Sequence, residues 1–402
     1  MALLRENGFN ALRVPLTLDA VVDTPSGGQA ECQGSDGLFY TYNRAFVGMG
    51  YLQMLGKFIR LARDHGLLVM LDIHSHEAGK WPDDGNVGQE GGKRLVEGWE
   101  ILASHFCDPG EYWNVFAADL KNEPHGMYWG SQPPSTVYPE HERWDTLAAR
   151  IGNSMLTICP RWLVFVEGVG HCMVQVPESH DDLPHPCTSP SAAGQDVSVP
   201  TWWGENLQAS LEYPVDLAIR QKLVYSPHVY GPSVYMQQYF TASSFPDNMP
   251  SIWHTQWGYI ARAHAFPVVI GEWGGRYVGA DKTWQDAIAK FMQDEANEIA
   301  GNFYWCVNPN SGDTGGLLKT WATKKGGGEP DHAKLLMLAG FAATVVPSAL
   351  SMLQVPTKPA PRSPTSPQSH IPFLAQGAFD EVEAPTQPQN RAAAASPPVL
   401  EQ

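Results

Sequence analysis

The 402-residue sequence lacks several signatures that would fix its class at once. Its six cysteines (Cys32, Cys107, Cys159, Cys172, Cys187 and Cys306) form no CxxC pair, which removes the usual zinc and thioredoxin readings. Their even number permits disulfides, and Cys172 with Cys187 could close a short loop, but a chain of this length does not require them. No apolar run reaches the roughly 18 residues of a membrane span. The opening MALLRENGFNALRVPL lacks the basic start, apolar stretch and small-residue cleavage site of a signal peptide. No Lys/Arg block offsets the formal charge of -16, so nucleic acid and anionic membrane surfaces are poor partners. A neutral or cationic ligand fits better. What the chain has in quantity is apolar and aromatic: 43% hydrophobic residues, with 14 Trp, 15 Phe and 14 Tyr, enough for a large core and a surplus of flat rings suited to stacking on sugars.

Apolar, β-branched-rich segments alternate with helical stretches, the pattern of a parallel sheet covered by helices. Strands are predicted at Phe9 to Pro15, Leu67 to His74, Val115 to Asn122, Trp162 to Glu167, Leu223 to Tyr230, Phe266 to Glu272 and Asn302 to Val307. Leu52, Leu55, Ile59 and Ala62 share one face of a helix, and Trp144, Leu147, Ile151 and Met155 share one face of another. Thr283 with Asp286 reads as a capping signal for a helix carrying Trp284, Ile288 and Phe291. Seven strands with helical crossovers suit an α/β fold, a (β/α)8 TIM barrel whose first strand is missing from this chain. The expectation is that this strand lies upstream, together with a leader. Residues 1–350 then form the barrel, while 351–402, with 10 of the 33 prolines and no helical or strand period, are expected to be a disordered tail.

Side chains at the carboxyl ends of barrel strands converge on one mouth, so polar residues ending apolar strands are the candidates. Arg13 lies in ALRVP, His74 ends LLVMLDIH, and Asn122 and Glu123 follow VFAADL in NEP. His228 and Tyr230 end LVYSPHVY, Glu272 ends PVVIGE, and Trp305 lies in NFYWCVNP. Strand exits into solvent are often polar, but six such sites together point to a shared pocket. Two glutamates at such ends are what double-displacement glycoside hydrolysis needs: one acid that becomes a base, one nucleophile, with carboxyls about 5 to 5.5 Å apart.

On these residues the chain resembles glycoside hydrolase family 5, once called cellulase family A. The resemblance runs from about Glu6 to about Leu350. It implies that Glu123 is the acid/base and Glu272 the nucleophile, and that Asn122 binds the sugar 2-hydroxyl. It further implies that Arg13 and His74 flank the nucleophile, that His228 and Tyr230 form the family's histidine-tyrosine pair, and that Trp305 lies beneath the sugar next to the scissile bond. The stretches NPNSGDTGG, WWGENLQ and FPDNMPSIW are similar to the endo-β-1,4-glucanase branch. The resemblance therefore implies an endo-acting enzyme on a β-glucan, with no cofactor and no metal, monomeric and extracellular. Chemistry agrees: Arg13 and Tyr230 can hold Glu272 ionised, and that charge favours the protonated form of Glu123.

Trp202 and Trp203, in a loop, are further candidate sugar platforms, with Trp81 and Trp129 weaker ones; Trp144 and Trp284, on apolar helix faces, belong to the core. Two competing readings follow from the same residues. His74 and His76 after a barrel strand could bind a metal with His228, as in amidohydrolase barrels, though LYSPHVY and FYWCVN supply neither the bridging lysine nor the terminal aspartate such a site wants. His76 alone reads as a loop residue, and His171 with Cys172 as structural. A glycan-binding barrel without catalysis is the other alternative.

Overall fold

The computed structural model describes residues 1–23, 46, 48–77, 92–124, 127–130, 143–170, 201–321 and 328–341. All of these fall in one compact unit, Met1–Gln354. Trp81, the Cys172–Cys187 and His171 expectations and the tail lie outside the described residues.

The sheet is built from β1 (Ala11–Thr17), β2 (Leu68–Ser75), β3 (Val115–Asp119), β4 (Leu163–Val166), β5 (Leu223–Tyr225), β6 (His228–Tyr230), β7 (Val268–Gly274) and β8 (Ile299–Tyr304). Every pairing between them is parallel. The predicted strand over Leu223 to Tyr230 is split in two. Pro227 has no N–H to give a ladder, and β5 and β6 both pair with β7 on either side of it. Taken as one interrupted barrel strand, they leave seven barrel positions filled, as the sequence predicts. The last strand runs three residues earlier than predicted, which leaves Trp305 just past its end.

Helices pack around this sheet: α1 (Ala2–Glu6), α2 (Leu18–Val22), α3 (Tyr51–Asp64), α4 (Lys93–Phe106), α5 (Trp144–Ile158), α6 (Met249–Trp253), α7 (Tyr259–Arg262), α8 (Gly279–Gln293) and α9 (His332–Leu338). On α3 the stripe Leu52, Leu55, Ile59 and Ala62 is buried, and on α5 so is the stripe Trp144, Leu147, Ile151 and Met155. These faces bury because spacings of three and four residues bring apolar side chains onto one side. The α8 helix starts four residues before the Thr283 signal: Asp281, in its first turn, accepts the Tyr277 N–H at 2.8 Å, and Asp286 is instead bonded to Lys282 and Tyr277. The ends of α4 and α5 are tied by the disulfide Cys107–Cys159, a pairing the spacing of the cysteines did not single out. Among the described residues, no helix is long and apolar enough to cross a membrane.

Among the described residues the sheet does not close: β1 and β8 make no pairing, and a cavity of about 810 Å³ lined by Leu12, Phe116, Val269 and Phe303 lies where they would meet. Both strands are correspondingly half-buried along most of their length, whereas β5 and β6 are fully buried. A closed barrel needs eight strands.

Candidate active site

The carboxyl ends of the strands bring the polar candidates together, as the parallel direction of every pairing requires. Arg13, from β1, is the hub. Its Nε donates to Asp119 at 2.8 Å, and its Nη2 to Asn122 at 2.9 Å and Glu167 at 3.1 Å. Its Nη1 lies 3.1 Å from Asp72 and donates to Glu272 Oε1. The guanidinium side chain is only 4% exposed. Burial works against its charge, but Asp72, Asp119, Glu272 and Glu167 outweigh that and hold it cationic.

Glu272 sits on β7 in register with His228 on β6. Gly271 makes this approach possible, since a Cβ there would fall 2.3 Å from Ser226 Oγ and 2.8 Å from His228 Nε2. Glu272 Oε2 accepts the Tyr230 hydroxyl at 2.5 Å. Burial, then the charges of Glu272 and Glu123, raise the Tyr230 phenol well above its ordinary range, so it remains a donor. Glu123, just beyond β3, is the half-buried partner across the pocket. Its Oε1 lies 3.2 Å from His228 Nδ1, and one oxygen of each glutamate and a nitrogen of His228 all lie within 4.8 Å of one another. That spacing suits an atom bonded by one carboxylate and served by the other.

The remaining candidates line the same pocket or its wall. His74 Nδ1 is 2.9 Å from Asp72, and its ring is stacked on Trp305 with 5.5 Å between centroids. Asn122 turns its oxygen to Arg13, while its Nδ2 finds no acceptor among the described residues. Trp202 packs edge-on against Tyr230, ring centroids 5.8 Å apart, and Trp203 is exposed beside it. The Trp202 main-chain N–H donates to the buried carboxyl of Glu205 at 2.9 Å, and burial pushes that carboxyl up to about 8. Trp129, a weaker platform candidate in the sequence, is instead a core residue: it is 1% exposed and its indole N–H donates to the Tyr213 carbonyl at 2.8 Å. Trp144 and Trp284 are fully buried in the core.

Three further carboxylates escaped the sequence reading: Asp72, Asp119 and Glu167, all wholly buried around Arg13 and His228. Each follows an apolar run (LLVMLD, VFAAD, VFVE), so the rule that found His74 could have found them. Burial, reinforced by the neighbouring charge of Asp72 and partly offset by Arg13, pushes Asp119 up to about 6. Asp72 goes the other way: burial would raise it, but Arg13 and His74 bring it below the usual carboxylate range.

Two groups of three side chains are close enough to share a cation: Asp119, Glu167 and His228, and Glu123, His228 and Glu272. Neither contains His74 or His76, so the histidine triad of the amidohydrolase reading does not assemble among the described residues. In the first group the Arg13 guanidinium already bonds Asp119 and Glu167.

A barrel mouth with two facing glutamates, an arginine and a tyrosine on one of them, and a tryptophan at the rim accords with the family comparison. The family model for cellulase, glycosyl hydrolase family 5, matches residues 1–311. The chain belongs to glycosyl hydrolase family 5. A relative, an endoglucanase of Paenibacillus polymyxa, is 34% identical over 80% of this chain and 72% of its own length. The major extracellular endoglucanase of Xanthomonas campestris pv. campestris is 32% identical over 78% of this chain and 57% of its own length. Among solved structures, a cellotetraose complex of the endocellulase from Pyrococcus horikoshii is 34% identical, with a TM-score of 0.66 over 84% of each chain. The catalytic domain of the Xanthomonas enzyme is 29% identical, with a TM-score of 0.65 over 84% of this chain and 85% of that one. As a family 5 chain the protein is a glycoside hydrolase, and its seven-strand parallel sheet corresponds to the TIM barrels of these neighbours.

Proposed function

We propose that the protein is an endo-acting hydrolase of β-1,4-glucan that works by double displacement, with Glu272 as nucleophile and Glu123 as acid/base. The observation that carries the mechanism is the approach of the two carboxylates, with one oxygen of each within 4.8 Å. Glu272, held by Arg13 and Tyr230, attacks the anomeric carbon. Glu123 gives its proton to the departing glycosidic oxygen as that bond breaks, leaving a glycosyl ester on Glu272. Glu123, now a carboxylate, takes a proton from water, whose oxygen attacks the anomeric carbon and frees Glu272. Asn122 binds the 2-hydroxyl, strengthening its hold as charge develops on the ring. Trp305, Trp202 and Trp203 support successive sugars, and His74 braces Trp305.

The glucan substrate follows from the endoglucanase relatives and from the cellotetraose bound by the Pyrococcus neighbour. Secretion and a monomeric state complete the reading, since a wall polymer is met outside the cell and the Xanthomonas relative is extracellular by name. A product profile on carboxymethylcellulose, mixed-linkage glucan, xyloglucan and mannan tests it. The expected outcome is a rapid fall in viscosity of carboxymethylcellulose with cello-oligosaccharides as products. Cleavage of mannan alone, or release of a single disaccharide from the chain end without loss of viscosity, would contradict it.

A further inference from the structure

Behind the two glutamates lies a third, Glu167, that the mechanism above does not use. It ends the apolar run of β4 and is fully buried. Its two oxygens face different parts of Glu123. Oε2 accepts the Glu123 main-chain N–H at 2.7 Å. Oε1 lies 3.0 Å from His228 Nε2, and the other nitrogen of that ring, Nδ1, is the one 3.2 Å from the Glu123 carboxyl. The main-chain contact matters because Glu123 has a φ of 48°, a left-handed conformation that a residue with a side chain adopts only when its surroundings enforce it. The site is also shaped around this carboxylate. Gly204 approaches it with a φ of 79°, and a Cβ there would fall 2.4 Å from Glu167 Oε2.

We propose that Glu167 is the positioning residue for the acid/base Glu123, holding its main chain with one oxygen and steering its side chain through His228 with the other. This inference rests on the assignment of Glu123 as acid/base. The charged groups around Glu167 are Arg13 from β1, Asp119 from β3 and His228 from β6, with Asp72 and Glu272 one step away through Arg13. Burial moves Glu167 well above the carboxylate range, partly offset by His228 and Arg13. Burial opposes the imidazolium of His228, but Glu167 and Glu272 outweigh it and raise the imidazole well above its ordinary range. The ring thus lies between two carboxyls, Nε2 toward Glu167 and Nδ1 toward Glu123, and the two contacts together fix its orientation toward Glu123.

A misplaced acid harms substrates in proportion to how much their leaving group needs a proton. In Glu167→Gln, kcat/KM for a cello-oligosaccharide, whose leaving group is a sugar hydroxyl, is expected to fall about 100-fold. For dinitrophenyl β-cellobioside, whose phenolate leaves unaided, the fall is expected to stay within about fivefold. Glu167→Asp, which keeps the charge but loses the reach, should show the same split. A merely structural role would lower both substrates alike, and equal losses would overturn the proposal, as would no loss in either variant. A second measurement needs no catalysis: the imidazole of His228, followed by NMR, should titrate at least about one unit lower in Glu167→Gln than in the wild type. An unmoved midpoint would overturn the coupling. Failure of the wild type to cleave either substrate would defeat the glycosidase reading instead, and the titration would still judge the contact.

Discussion

Glu272→Gln is expected to abolish turnover of carboxymethylcellulose by about 10⁵-fold or more, the scale on which loss of a covalent nucleophile is felt. Glutamine keeps the volume of the side chain and offers an oxygen to Arg13 and Tyr230, so the fold and the binding of glucan should persist. Glu123→Gln removes the proton donor rather than the bond-forming oxygen, and its loss on the same polymer should be smaller, about 10²- to 10⁴-fold. Thermal melts of both variants and retention on immobilised cello-oligosaccharide separate chemistry from unfolding. Hydrolysis near the wild-type rate in both would overturn the two-glutamate assignment, and loss of binding together with activity would point to a structural role.

The second large effect concerns Arg13. One guanidinium lies among four buried or nearly buried carboxylates, Asp72, Asp119, Glu167 and Glu272, and contacts all of them. Arg13→Met removes the cation and leaves the acids to repel one another in a desolvated site. Breaking a buried ion pair from one side costs about 3–5 kcal/mol, which for a domain of this size is a melting-point drop of roughly 10 °C near neutrality. The sign with pH follows from linkage. With Arg13 present, Asp72 lies below the usual range, so its ionised form stabilises the fold above that range, and this is lost as pH falls. Without Arg13 the same buried acids bind protons more tightly folded than unfolded. Stability is then retained at acidic pH and lost as pH rises through their folded values. The deficit of the variant should be small near pH 4 and grow toward pH 8. A deficit that is constant across this range would mean that Arg13 acts by packing alone.

Much of this architecture was legible in the chain because barrels expose a simple rule. Where an apolar run ends in a polar residue, that residue faces the mouth, and Arg13, His74, Glu123, His228, Tyr230 and Glu272 were all found this way. The same rule was applied too narrowly. Asp72, Asp119 and Glu167 also end apolar runs, but an acid inside such a run reads as a strand exit until a buried cation is seen to need it. The split of the fifth barrel strand was hidden because Pro227 lies in an otherwise continuous apolar segment, and the ladder it interrupts becomes visible only against β7. Trp129 was misjudged for a related reason. A tryptophan in a loop looks available, but its indole N–H reaches a carbonyl 84 residues away, a partner no local pattern announces. The Cys107–Cys159 bridge is equally non-local, since it depends on two helices ending side by side.

The gap between β1 and β8 bears on how firmly the mouth is held. Arg13 stands on β1, one rim of that opening, and Trp305 directly follows β8, the other. Yet each is also fixed from the closed side: Arg13 by carboxylates from β2, β3 and β7 and by Glu167 beyond β4, Trp305 by its N–H to the Trp273 carbonyl at 2.8 Å and by the His74 ring. The ion network thus links the rim strand to most of the sheet, which is why its loss in Arg13→Met is expected to be felt as unfolding and not only as lost activity.

The facing of Glu123 and Glu272 across one short gap is tested most directly by the stereochemistry of the first product. Proton NMR of cellopentaose hydrolysis, recorded before the reducing ends equilibrate, should show the β-anomer of the new reducing sugar appearing first and the α-anomer following by mutarotation. If the α-anomer appears first, water attacked the sugar directly, the two carboxylates stand too far apart for a glycosyl ester, and Glu272 is not the nucleophile.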